Sequence, residues 1–207
     1  MLIQSTLCLA AQEIASIQTY YAKKGLTLSE VALCGSREFV EWQHYPNNDL
    51  VDVDSGYEFY YHSHSVDEMP EGEHGHFHLF KRTGTEFHHL IGIALNQTGL
   101  PVRLFTTNQW VTGETLVMAE TVLVELQAFD MAIKGRMSPM ARWISALTKL
   151  FYIDMEALVL QRDRMIHHLE SDLGSLELAL NQRSHHVLTE GRIDLMEHLS
   201  QHLLLVN

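Results

Sequence analysis

Seven of the chain's fourteen histidines fall between Tyr57 and Leu90, and four of these form two His-x-His pairs, His62/His64 and His76/His78, with His74 just ahead of the second pair. Neutral imidazole is the commonest biological metal ligand and binds zinc at about 2.0–2.1 Å. On an extended strand, residues two apart share a face, so each pair can direct two ring nitrogens at one ion. If the two segments pair antiparallel about Pro70, His64 falls opposite His76 and His62 opposite His78. Opposed Cβ atoms then lie about 4.5–5.5 Å apart. The expectation is a divalent transition metal (zinc, nickel, iron or copper) held by His62, His64, His76 and His78. Glu58, Glu68 and Glu73 supply nearby carboxylates, and Glu73 or His74 is the expected proton carrier.

This donor set supports two functional classes. A metal-dependent enzyme, a hydrolase or an oxygenase, needs an open coordination position beside a pocket. A non-catalytic metal- or ligand-binding or sensing module needs only a closed shell. The segment Thr106–Trp110 leads from a strand into a helix, where free N–H groups favour an anion, so Thr107, Asn108 and Trp110 are expected to border a pocket for a small-molecule ligand.

The histidines need strands to hold them. Tyr57–His64 and His74–Phe80 alternate as strands do, and a loop of polar residues with Pro70 and Gly72 joins them. Further strands are expected at Glu38–Tyr45 (broken by Pro46), His88–Asn96 and Pro101–Thr107, giving a meander of about five. In His88-His89 the two side chains point to opposite faces, so at most one joins the site.

Helical periodicity flanks this sheet. Leu7, Ala11, Ile14, Ile17 and Tyr21 mark a helix over Ser5–Lys24, and Thr27 caps a short one at Leu28–Leu33. Later helices are expected over Glu114–Ile133, over Met140–Phe151 behind Ser138-Pro139, and from Asp154 in a heptad-like run that reaches Val187. The last is expected over Arg192–Val206. The fold class is α+β, an antiparallel sheet of about five strands with N-terminal helices and a helical C-terminal half. Residues 1–152 are expected to form the histidine-bearing domain. Residues 153–207 would be a helical tail packing on it or on a partner, and a homodimer through helices 154–206 is one use for that tail.

The formal net charge of −12 over 207 residues argues against a general nucleic-acid binder or anionic-membrane binder. No apolar run approaches the roughly 20 residues of a membrane span. The N-terminus lacks the basic region of a signal peptide, and Cys8 and Cys34 form no CxxC, which fits a reduced, cytoplasmic setting.

Two local motifs resemble known families. Gly56-x5-His62-x-His64-x3-Glu68-x6-Gly75 is similar in spacing to the first cupin motif, but the companion motif is missing downstream. The run His74-Gly-His76-Phe-His78-Leu-Phe80 is similar to that of histidine-triad nucleotide hydrolases. It implies a third use, phosphoryl or nucleotidyl hydrolysis with His76 as nucleophile, although Gly75 stands where that family has a hydrophobic residue. A longer resemblance covers about Glu41–Phe151. EHGHFH and LFTTNQWVTGE, with EWQHYP, YYHSH and ARWISALTKLF, resemble an uncharacterised bacterial domain family of unknown function. That resemblance implies a shared domain with a histidine-rich centre, and no reaction.

Overall fold

A computed structural model describes residues 2–36, 40–65 and 67–203. The elements run α1 (Leu2–Ala22), α2 (Leu28–Ala32), β1 (Tyr45–Val51), β2 (Tyr57–His62), β3 (Glu73–Thr83), β4 (Glu86–Asn96), β5 (Pro101–Thr107), α3 (Gln109–Thr112), α4 (Ala119–Gln127), α5 (Ser138–Leu150), α6 (Tyr152–Leu173), α7 (Leu176–Leu180), β6 (Val187–Arg192) and α8 (Leu195–Leu203). Among the described residues six strands form one antiparallel sheet in sequence order, β1-β2-β3-β4-β5-β6. The class is α+β, with one strand more than the sequence suggests.

The sheet buries both faces, and alternation divides the work. Tyr57, Phe59, Tyr61, Phe77, Leu79, Ile91, Ile93, Leu95 and Leu104 join one apolar core with Ile14 and Ile17 of α1, Val122 and Leu126 of α4, Trp143 and Ile144 of α5, and Val159 of α6. This is the helical face. The intervening residues of β2 and β3, among them Tyr60, His62, His76, His78 and Phe80, turn the other way. A smaller cluster of Ile166, Leu169, Ala179, Leu180 and Leu188 ties α6 and α7 to β6.

Several boundaries differ from those read in the sequence, each for a local reason. The first strand begins at Tyr45 and carries Pro46 through an edge position, where a missing N–H is tolerated; residues 38 and 39, the start of the expected strand, lie outside the described residues. The expected helix from Glu114 begins only at Ala119, because Glu114 is buried and serves the sheet. The heptad-like run stops at Gly174, which adopts φ 82° and ends α6 with a left-handed cap. Beyond it Val187 and Leu188 enter β6 beside β5 rather than extending a helical seam. The last helix begins at Leu195, and the end of its expected span, Leu204–Val206, lies outside the described residues.

Candidate metal centre

Register decides which histidines meet. β2 pairs with β3 so that His62 faces His76 and Tyr60 faces His78. The expected pairing, His64 with His76 and His62 with His78, is therefore displaced by two residues, because β2 ends at His62 and the connection starts earlier than Pro70 suggests. A shift of two keeps every side chain on its side, so the histidines still gather. Their ring centroids lie 4.5 Å (His62–His76), 5.0 Å (His76–His78) and 5.1 Å (His62–His78) apart.

His62, His76 and His78 each offer a ring nitrogen within 4.8 Å of the other two, an arrangement able to hold a metal ion; among the described residues no other group of three does so. All three are buried. His62 Nε2 and His76 Nε2 are 2.7 Å apart, a hydrogen bond in which one ring donates and the other accepts. An ion with nitrogen ligands at 2.0–2.1 Å in tetrahedral geometry would hold such a pair about 3.3–3.4 Å apart, so a small separation of the rings would admit it. His76 Nδ1, the other nitrogen of that ring, is buried without a hydrogen-bond partner in the protein.

Burial makes these rings good donors. It pushes the His62 imidazolium down to about 3, helped by the neighbouring His64 and His44, and holds His76 and His78 well below the usual histidine range. Each is therefore a neutral ring, with one N–H and one lone-pair nitrogen, at neutral pH. His64 stands beside the three, 5.1 Å from the rings of both His62 and His76, and is half-buried under Trp42, whose ring centroid is 4.1 Å away. Trp42 holds a left-handed φ of 65°, an uncommon conformation for a bulky residue. His44 stacks on Tyr60 at 3.7 Å and bonds Asp49 through Nδ1 at 2.9 Å.

The other expected site residues separate. A bulge between Glu73 and Gly75 turns His74 away from its neighbours, and its Nδ1 lies 2.7 Å from the hydroxyl of Tyr61, whose ring belongs to the helical face. Strand alternation alone would put His74 on the face of His76 and His78; the extra residue takes it off that face. Glu73 takes both of its carboxylate oxygens to Arg103, at 2.6 and 2.9 Å. Glu58 is engaged by Arg82, and Glu68 by Ser65 at 3.0 Å. Thr107 does reach the histidines, through His89. Asn108 instead caps α3 and donates to the Ala179 carbonyl at 2.9 Å, while Trp110 donates to the Gln182 carbonyl and packs under Arg183. Three surface cavities, at Thr6–Lys149, Gln18–Leu100 and Tyr20–Pro139, are lined without any of the cluster histidines.

The residue that spacing does not single out is His89. A second bulge in β4 pairs Leu79 with Ile91 but Phe80 with His89, so Leu90 is the extra residue and joins Ile91 on the helical face. His89 thereby lands beside His78 (Nε2 to His78 Nδ1, 2.9 Å) with its own Nδ1 3.2 Å from Thr107 Oγ1. His88 goes the other way, to Glu125 of α4. Phe105 fills the space over Gly92 and meets His76 at 5.2 Å and His78 at 5.6 Å, a place open to it because Gly92 has no Cβ.

Behind His89, Glu114 is buried and accepts the His89 backbone N–H at 2.5 Å. Desolvation raises its carboxyl to about 8 from an ordinary 4.5, against the opposing pull of that hydrogen bond and of Arg162. The folded chain thus holds this proton more tightly than the unfolded chain, and stability falls as pH rises from about 4.5 to 8. Glu114→Gln keeps an acceptor oxygen without the charge. It should be more stable than the parent above pH 8, by an amount on the order of a few kcal/mol, in denaturant titrations at pH 6 and pH 9; a parallel pH dependence in both proteins would contradict this.

Among the described residues, no helix is long and apolar enough to cross a membrane. No curated protein and no solved structure matches the chain. Residues 8–193 match the family model of a domain of unknown function, DUF6969, so the bulged, histidine-bearing sheet and the helices behind it lie almost wholly inside that match. The chain belongs to this DUF6969 domain family.

Proposed function

We propose that this protein binds one divalent transition metal ion through His62, His76 and His78. The observation that carries this is the convergence of three buried, neutral imidazoles whose nitrogens lie within 4.8 Å of one another. The donor set is nitrogen only, which suits zinc, copper, nickel or iron rather than calcium or magnesium. Three protein ligands leave a position for water or a small exogenous ligand, the composition of a catalytic rather than a structural zinc site. On this reading the ion is the Lewis acid or redox centre of a hydrolase or an oxygenase, and the protein's part is to keep the three rings neutral, oriented and screened from bulk water.

A second use rests on His64. Its ring is near enough to His62 and His76 to close the shell by a modest rotation, which would make the centre a stable, non-catalytic metal-binding module. Elemental analysis of protein purified without added metal should find about one ion per chain. The double variant His62→Ala/His76→Ala should carry none. Equal metal content in the two proteins would end this proposal, and retention of exchangeable ligands such as azide or cyanide on the bound ion would separate the open from the closed form.

A further inference from the structure

A histidine can ligate through one ring nitrogen only if the proton sits on the other, so something must decide where the His78 proton rests. His78 Nδ1 faces His89 Nε2 at 2.9 Å, which leaves Nε2 as the nitrogen available to an ion. The chain of contacts continues from His89 Nδ1 to Thr107 Oγ1 at 3.2 Å. Every link lies out of solvent, because His78, His89 and Thr107 are all buried.

This chain has two self-consistent proton arrangements. In one, His78 Nδ1–H donates to His89 Nε2 and His89 Nδ1–H donates to the Thr107 hydroxyl; His78 Nε2 then carries a lone pair. In the other, the Thr107 hydroxyl donates to His89 Nδ1 and His89 Nε2–H donates to His78 Nδ1; His78 Nε2 then carries a proton and cannot ligate. We propose that His89, anchored by Thr107, is the positioning residue of the metal centre: its Nε2 accepts a hydrogen bond from His78 Nδ1–H and so fixes ring orientation and tautomer for ligation through His78 Nε2. The inference rests on the metal-binding reading above, which by itself makes no demand on His89. Two features of the chain serve this placement. The Leu90 bulge turns His89 onto the face of His78, and the Glu114 carboxyl group fixes the His89 backbone from behind.

The test uses the full chain and cobalt(II), whose visible absorption reports ligand geometry directly. His89→Leu keeps the buried bulk but offers no acceptor. Its cobalt affinity should fall roughly tenfold to a hundredfold, with a changed visible spectrum. His89→Gln brings an amide oxygen close to where Nε2 stands and should restore both affinity and spectrum to within a few-fold of the parent. Thr107→Val leaves His89 Nδ1 without its hydrogen-bond partner in either arrangement. The His89 ring is then held less firmly against His78 Nδ1, so binding should weaken by roughly threefold to tenfold while the melting temperature stays near that of the Gln variant. Should the parent chain bind no cobalt, the metal-binding reading itself fails. If the parent binds and the Leu and Val variants match it in affinity and spectrum, only the role of His89 is overturned. If the Leu variant does not fold, the Gln and Val variants decide: an unchanged Val variant, or a Gln variant as weak as a His62→Ala control, overturns the role.

Discussion

Brought down in pH without metal, the protein is expected to lose stability steeply below about pH 6.5, the ordinary histidine value. His62, His76, His78 and His89 are all held neutral by burial, with His62 and His89 pushed down to about 3. The sign follows from which state takes up protons. Above pH 6.5 these rings are neutral whether the chain is folded or not, so they contribute no slope. Below it the unfolded chain protonates them and the folded chain does not, and unfolding becomes more favourable by about 1.4 kcal/mol per pH unit per ring. By about pH 4.5 that amounts to roughly 2.7 kcal/mol for each, and four such rings rival a typical native stability of about 5–15 kcal/mol. Denaturant titrations at half-unit steps from pH 7 to pH 4 measure it. Stability that stayed flat across that range would mean the rings charge freely inside the fold, and so are not buried as described. An ion that binds only the folded state should add stability at pH 7 in proportion to the logarithm of its concentration.

Gly75→Ala should be a damaging methyl addition at the histidine centre. A Cβ there would sit 2.7 Å from the His62 carbonyl oxygen and equally close to the Tyr61 ring, so backbone would have to move at the very pair where His62 faces His76. Overpacking of this kind costs about 1–3 kcal/mol, and here it also pries β2 from β3. Metal content and melting temperature should fall together. Gly191→Ala provides the comparison, since its added methyl would meet only Leu158 at ordinary contact distances of 3.8 and 3.9 Å. It should change stability by no more than about 0.5 kcal/mol. A Gly75→Ala protein with parental melting behaviour and full metal occupancy would contradict the geometry of the centre.

Much of this was readable from residue type and spacing. The alternation in β2 and β3, the meander that follows and the Ser138-Pro139 helix start are local signals, and local signals survive folding. The even register shift spared the histidine face because strand alternation has a period of two. What the chain concealed came from single-residue insertions and long-range pairing. Two bulges exchanged the sides of His74 and His89, and nothing in His-Gly-His or His-His-Leu announces a bulge. Glu114 looked like the start of a helix because its partner, the backbone of His89, lies in a strand 25 residues earlier. Glu73 looked free to carry protons because its partner, Arg103, lies two strands away.

Leu90 carries a consequence for how this family can change in length. Since it is the supernumerary residue of β4, a chain shortened by its deletion would keep His89 and His88 on their present sides, with an unbroken ladder in place of the kink. Removing Ile91 would give the same ladder, with Leu90 in its place opposite Leu79, whereas removing His89 would bring His88 or Leu90 opposite Phe80 in its stead. Loss of one amino acid is thus tolerable at the Leu90-Ile91 step of that strand, and relatives shorter by one residue there should show their gap at it.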